Sequence, residues 1–125
     1  MGRGLTFDTG ALIALEARRK KIKEILAAAR TLRVPITVPA VVVAEWWRGQ
    51  KGQVARILEG VEIERLDERL ARIAGEALRA TGGSNAVDAI VMASAAQRGD
   101  VVYTSDVEDL RRLGEHFPTV RVLAV

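Results

Sequence analysis

Leu5-Thr6-Phe7-Asp8-Thr9-Gly10-Ala11-Leu12-Ile13-Ala14-Leu15 reads as a short strand that ends on an acid and runs straight into a helix. The order recurs at Val101-Val102-Tyr103-Thr104-Ser105-Asp106, where a β-branched run again stops at an aspartate. Working outward from these two segments, apolar runs at 36–38, 61–65 and 120–125 add three strands to those at 5–7 and 101–104. Helical patterns occupy 8–17, 21–30, 40–48, 54–58, 68–80, 84–98 and 106–113. Gly82-Gly83, Gly99 and Gly114 punctuate helix ends, as the usual stop signals do. Strands alternating with helices connect by right-handed crossovers into a parallel sheet covered on both faces. The expected fold is therefore α/β, a central, mostly parallel β-sheet flanked by helices, with residues 1–125 as one domain. No internal repeat, low-complexity stretch or linker divides the chain.

Composition narrows the chemistry. A chain of 125 residues with 49% hydrophobic and 28% charged residues suits one compact domain with a real core. Aromatics are scarce, so that core must be built from Ala, Val, Ile and Leu. The absence of cysteine excludes disulfides, thiolate zinc sites and cysteine nucleophiles. With His116 as the single histidine, a bound metal would have to be held by oxygen, which selects hard ions such as Mg²⁺ or Mn²⁺. The net charge of +3 and a pI near 9.8 give a basic bias that by itself is weak support for a nucleic-acid partner. Asp8 interrupts the N-terminal apolar run, so it does not read as a signal peptide, and no run of about 20 apolar residues could span a bilayer. The expected location is the cytoplasm, with no membrane association.

Four acids carry the functional question. In such sheets, ligands gather beyond the carboxyl ends of the strands. Asp8 and Asp106 follow strands directly and so fall on that same edge. Asp88 stands in Ala86-Val87-Asp88-Ala89-Ile90-Val91-Met92-Ala93-Ser94-Ala95-Ala96, a helix apolar almost all round. A charge there needs a partner unless the first-turn dipole and solvent satisfy it. Glu45 sits between Val41-Val42-Val43-Ala44 and Trp46-Trp47, with Pro39 placed at the first helical position. An ion pair with Arg48 is its ordinary alternative. Asp106 has one too, because Ser105-Asp106-Val107-Glu108 fits a capping box with Ser105 as cap and Glu108 reaching back. Asp8 could likewise be a plain helix cap. Taken singly, each acid has a structural explanation. As a set, they describe one acidic pocket whose repulsion a hard divalent cation would relieve, a site suited to phosphodiester hydrolysis.

Phe7-Asp8-Thr9-Gly10-Ala11-Leu12-Ile13-Ala14-Leu15, Val41-Val42-Val43-Ala44-Glu45-Trp46-Trp47-Arg48-Gly49, Val87-Asp88-Ala89-Ile90-Val91-Met92-Ala93-Ser94-Ala95 and Val102-Tyr103-Thr104-Ser105-Asp106-Val107-Glu108-Asp109-Leu110 occur in this order over nearly the whole chain. The pattern resembles the PIN-domain nucleases and, within them, the VapC-type toxins of type II toxin–antitoxin systems. The resemblance implies a Mg²⁺- or Mn²⁺-dependent endoribonuclease with Asp8, Glu45, Asp88 and Asp106 as its catalytic, metal-binding acids. It makes Asp8 and Asp88 the direct ligands, and lets Glu45 and Asp106 act directly or through water. Thr104 would orient a carboxylate or water, and Asp109 corresponds to a further, more variable acid. It also implies an antitoxin partner and a homodimer. Two departures bear on geometry: Gly10 stands where many relatives carry Ser or Asn, removing one polar contact, and Val38-Pro39 replaces a hydroxyl cap.

Arg18, Arg19 and Lys20, with Lys21 and Lys23, form a basic run that is either a solvated face or a backbone contact for RNA. Adjacent Trp46 and Trp47 cannot both face one core, which leaves one of them for an interface. A phosphoacceptor receiver domain, another α/β fold of this length, fails on residues. It needs an acidic pair after the first strand and a lysine after the last, whereas Asp8 stands alone and no lysine follows Lys51. A PIN-like module that binds RNA or protein without catalysis is the remaining alternative.

Overall fold

The computed structural model describes residues 4–125. Five strands, β1 (Leu5–Phe7), β2 (Ile36–Pro39), β3 (Glu62–Glu64), β4 (Val101–Thr104) and β5 (Arg121–Ala124), form one sheet in the order β3-β2-β1-β4-β5. Every pairing is parallel, so each strand must be reached by a crossover. Six helices supply most of these connections: α1 (Thr9–Glu16), α2 (Lys20–Leu32), α3 (Ala40–Trp46), α4 (Glu68–Thr81), α5 (Ala86–Arg98) and α6 (Val107–Gly114). The strand order reverses between β1 and β4, and Asp8 and Asp106 follow those two strands. This is the switch point at which such sheets open a crevice.

The apolar pattern explains the layers. Phe7, Val38 and Val102 are fully buried in the three central strands, and α5 is buried without interruption from Ala89 to Ala95. The alanines of α5 and α4 let those helices approach closely, Ala74 and Ala77 being buried on the α4 side. Gly82 and Gly99 end α4 and α5 in the left-handed region, both with φ 70°, which glycine adopts without penalty.

Under α5, one buried acid is paired through one of its two oxygens, Oδ1 having no hydrogen-bond partner. Asp100 is 1% exposed; its Oδ2 accepts from the Thr6 hydroxyl at 2.8 Å and from Arg98 Nε at 2.9 Å. The same guanidinium reaches Glu64 at 3.1 Å, Ser94 at 3.0 Å and Thr6 at 3.1 Å, tying α5 to β1 and β3. A buried charge so paired is held in place, and removing its cation would be costly.

Boundaries differ from the sequence reading where local chemistry overrides propensity. Pro39 closes β2, opposite Glu64 of β3, and precedes α3 as an extended residue with ψ 143°, so it is not the first helical position. The helix expected at 40–48 stops at Trp46 because Trp47 is extended, with ψ 127°. The segment around 54–58 is a 3₁₀ helix, Ala55–Gly60.

Candidate functional site

Asp8 is placed by β1 and held by α1. Its Oδ1 accepts from the amide of Ala11 at 2.9 Å, and the Gly10 amide and the Thr104 hydroxyl also bond its carboxylate. Burial nevertheless outweighs these donors and pushes its pKa up. Asp8 is thus both the helix cap of the structural reading and a carboxylate facing the crevice. Thr104, fully buried at the end of β4, also accepts from the amide of Asp106 at 2.9 Å. One hydroxyl therefore couples the acids at the ends of the two strands that flank the switch point.

Asp106, not Ser105, caps α6. Its Oδ1 accepts from the Asp109 amide at 3.3 Å, while Glu108 pairs with Arg111 at 3.0 Å and does not reach back. The expected capping box is therefore replaced by an aspartate cap one residue later. Ser105 is drawn elsewhere: a Cβ built on Gly10 would lie 2.0 Å from the Ser105 Oγ. The side chain absent at Gly10 is thus exchanged for that of Ser105, which occupies the space it would need. That exchange could have been read only as a correlated pair, since neither position signals it alone.

Glu45 is exposed rather than enclosed by its apolar neighbours, because those neighbours lie on other faces of the short helix α3. It accepts a short hydrogen bond from the Thr9 hydroxyl. The alternative partner, Arg48, turns instead to the carbonyls of Ala44 and Trp47, at 3.1 and 2.7 Å. Trp46 is buried and donates to Glu16 at 3.0 Å, while Trp47 is 39% exposed, which separates the two indoles as expected.

Asp88 lies in the first turn of α5, its amide donating to the cap Asn85 at 3.0 Å. The cap was missed by a sequence reading that began the helix at Ser84. Its carboxyl is pushed up to about 6, first by burial and then by the charges of Asp8, Asp109, Glu45 and Asp106. Asp109 is raised as well, because its carboxyl is hydrogen-bonded to that of Asp106. All four predicted acids, with Asp109, therefore act on one another's field. Among the described residues, none of the five forms an ion pair.

These donors fit a hard cation in kind: they are all carboxylates, they repel one another, and no cation among the described residues pairs with them. Their spacing is open, since no group of three acidic or histidine side chains among the described residues is close enough to hold one ion together. Mg²⁺ commonly takes one or two protein carboxylates and completes its shell with water and phosphate oxygens.

Arg18, Arg19 and Lys20 are not brought to these acids. They follow the far end of α1, where Arg18 donates to Gln53 at 3.0 Å and Lys20 faces Glu24 at 3.9 Å.

The PIN-domain pattern matches residues 5–115. The chain belongs to the PIN-domain family. Solved structures agree in fold. The VapBC2 complex of Rickettsia felis, bound to a promoter DNA fragment, contains a chain that superposes with a TM-score of 0.74 at 16% identity, covering 97% of this chain and 98% of that one. A DNA-bound VapBC complex from Salmonella typhimurium gives 0.71 at 17% identity, covering 98% of each chain. A FitAcB structure from Neisseria gonorrhoeae gives 0.64 at 23% identity, covering 95% and 96%. Comparison with curated protein sequences gives no significant match. In this PIN chain, as in the sheet rule, the acids collect where β1 and β4 end. No helix among the described residues is long and apolar enough to cross a membrane.

Proposed function

We propose that this PIN domain, taken as the whole of residues 1–125, is a divalent-metal-dependent endoribonuclease and the toxin component of a toxin–antitoxin pair. The observation that carries the reading is the environment of Asp88. Burial first, and then the charges of four other carboxylates, push it up to about 6, and none of the five has a protein counter-charge among the described residues. Stability alone gives no reason to gather such a set, whereas metal-assisted hydrolysis does.

Asp8 and Asp88 are the proposed direct ligands of Mg²⁺ or Mn²⁺. Asp8 is fixed by its amide donors, and Asp88 is held on the rigid first turn of α5. Glu45 and Asp106 flank them and orient water, with Asp109 as a supporting acid. Thr104 keeps Asp8 and Asp106 in register. A bound divalent cation supplies charge neutralisation for the phosphate and lowers the pKa of a water nucleophile. Hydrolysis by water leaves 5′-phosphate and 3′-hydroxyl ends.

The partner proposals have separate support. A toxin–antitoxin complex from Klebsiella pneumoniae contains a chain that superposes on this one, which supports a cognate antitoxin here. Ile13 and Trp47, 54% and 39% exposed, offer apolar surface for a homodimer. Arg18, Arg19 and Lys20, being remote from the acids, are proposed to hold the RNA backbone away from the cut. Replacing all three with Ala should flatten the salt dependence of RNA binding, and an unchanged slope rejects that role. The reading places the protein in the cytoplasm.

The open spacing of the acids favours one rival, a PIN fold that binds RNA or protein without cutting. Cleavage of single-stranded RNA with Mg²⁺ or Mn²⁺, with and without chelator, separates the two. Wild type should cut and Asp8→Asn should not. RNA binding by wild type without metal-dependent cutting would establish the rival.

A further inference from the structure

Beside the acids, a cavity of about 360 Å³ opens between the end of α4, the α4–α5 loop and α6. Asp88 and Asp109 stand in its wall, so it is continuous with the proposed metal site. Its apolar wall is Leu78 and Leu113. Gly83 keeps that wall open: a Cβ there would sit 3.3 Å from Leu78 Cδ2 and 4.0 Å from Leu113 Cδ2. At the small end of the range for ligand pockets, ~300–1,000 Å³, this volume admits one nucleotide and excludes a duplex.

The polar groups of the cavity are unevenly committed. Glu108 is paired with Arg111, whereas Arg112, one turn further along α6, has no ion pair among the described residues, although three acids line the same cavity. Its guanidinium is left to an incoming anion, and its planar fork suits a phosphate. Asn85 spends its side-chain oxygen on the Asp88 amide, which leaves its amide N–H donors for a ligand.

We infer that this cavity is the subsite for the unpaired nucleotide next to the scissile bond, with Arg112 on its phosphate and its base against Leu78 and Leu113. The inference rests on the nuclease reading for the word scissile, but the binding it describes does not depend on cutting. Single-stranded RNA is the substrate class that fits, because a base must leave its stack to enter the cavity. Arg112, Asn85 and Gly83 are then specificity-determining residues for the flanking nucleotide.

The test measures binding and cleavage separately. A fluorescein-labelled uridine octaribonucleotide is titrated with the Asp8→Asn protein in Mg²⁺, alone and combined with Arg112→Ala or Gly83→Leu. Gly83→Leu fills the cavity without calling for a positive φ. Arg121→Ala, at the start of β5 and so at the end of the sheet away from the acids that follow β1 and β4, is the charge control. Arg112→Ala should weaken binding about 10- to 100-fold, as loss of a charge-assisted contact does. It should also reduce the salt slope by about 0.7. Gly83→Leu should weaken binding about as much with no change in that slope, and Arg121→Ala should leave affinity within about twofold. Unchanged affinity in both cavity variants, an equal loss in Arg121→Ala, or no binding by the parent protein overturns the inference. Binding that follows this pattern while wild type shows no metal-dependent cleavage would retain the subsite and reject the nuclease.

Discussion

Replacing Asp88 with Asn should stabilise the metal-free protein while abolishing cleavage. The rise of the Asp88 carboxyl from 3.8 to about 6 corresponds to about 3 kcal/mol at ~1.4 kcal/mol per pH unit. Solvent reaches half of this group, so screening reduces the figure to about 1.5 kcal/mol. Asn also forfeits the attraction of a first-turn carboxylate to the helix dipole, about 0.5 kcal/mol. The net gain is about 1 kcal/mol. For 125 residues at ~2.1 cal/mol/K each, it amounts to roughly 4 °C in midpoint.

The pH dependence has a fixed sign. Between 3.8 and about 6, the folded wild type holds a proton at Asp88 that the unfolded chain has released. This contribution to wild-type stability is present below 3.8 and is lost as pH rises through 6. Thermal unfolding in chelator should therefore show Asp88→Asn above wild type at pH 7.5 and the gap closing towards pH 4. Adding Mg²⁺ should raise the wild-type midpoint more than the mutant's, since only wild type keeps the full ligand set. A mutant less stable than wild type at pH 7.5 in chelator, or a gap independent of pH, would refute the electrostatic account of the pocket.

Thr104→Val removes the hydroxyl that serves both Asp8 and the Asp106 amide; a loss of about 1–2 kcal/mol and reduced cleavage are expected by chemical denaturation and RNA assay. Arg98→Ala strands Asp100, 1% exposed, and should cost roughly 3–5 kcal/mol, with the metal dependence of the remaining folded protein unaltered. Wild type should be dimeric by light scattering and Trp47→Ser monomeric; a monomeric wild type or a dimeric variant rejects the Trp47 interface.

Period and punctuation made the fold legible. Short β-branched runs alternating with helices left few topologies open, and the helical pattern at 68–80 matches α4, which Asp67 caps by accepting from the Leu70 amide at 2.8 Å. The sheet order could not be read from any one strand, because it depends on which pairs α5 and α1 cover. At the site, Asp88 was legible by contrast with its apolar helix. Glu45 was selected for the wrong reason: a seven-residue helix can expose one acid among valines and tryptophans, and its surroundings in sequence are not its surroundings in space. The cap of α6 falls on Asp106, not on Ser105, whose side chain lies against Gly10, a contact across 95 residues that local pattern cannot contain. Arg112 carries no signal of its own in the sequence; the fold sets it in a cavity with three acids and, among the described residues, no ion pair.

The same small domain treats its acids in two opposite ways. Asp100, more deeply buried than any acid of the cluster, receives Arg98 and Thr6, and its pairing fastens α5 to the sheet. Asp88, ten residues before Arg98, sits on the same helix and faces four like charges instead. Local sequence accounts for only part of the contrast: α5 supplies an arginine at its C-terminal end and none near Asp88. A cationic side chain near Asp88 would relieve the repulsion at little steric cost, since the cavity beside it is open. Arg112 lines that cavity and still makes no ion pair with Asp88 or Asp109 among the described residues. The pocket therefore retains a repulsion that the fold has the means to cancel. On the proposed reading, a cation from solution and the phosphate of a bound strand on Arg112 would satisfy both groups together.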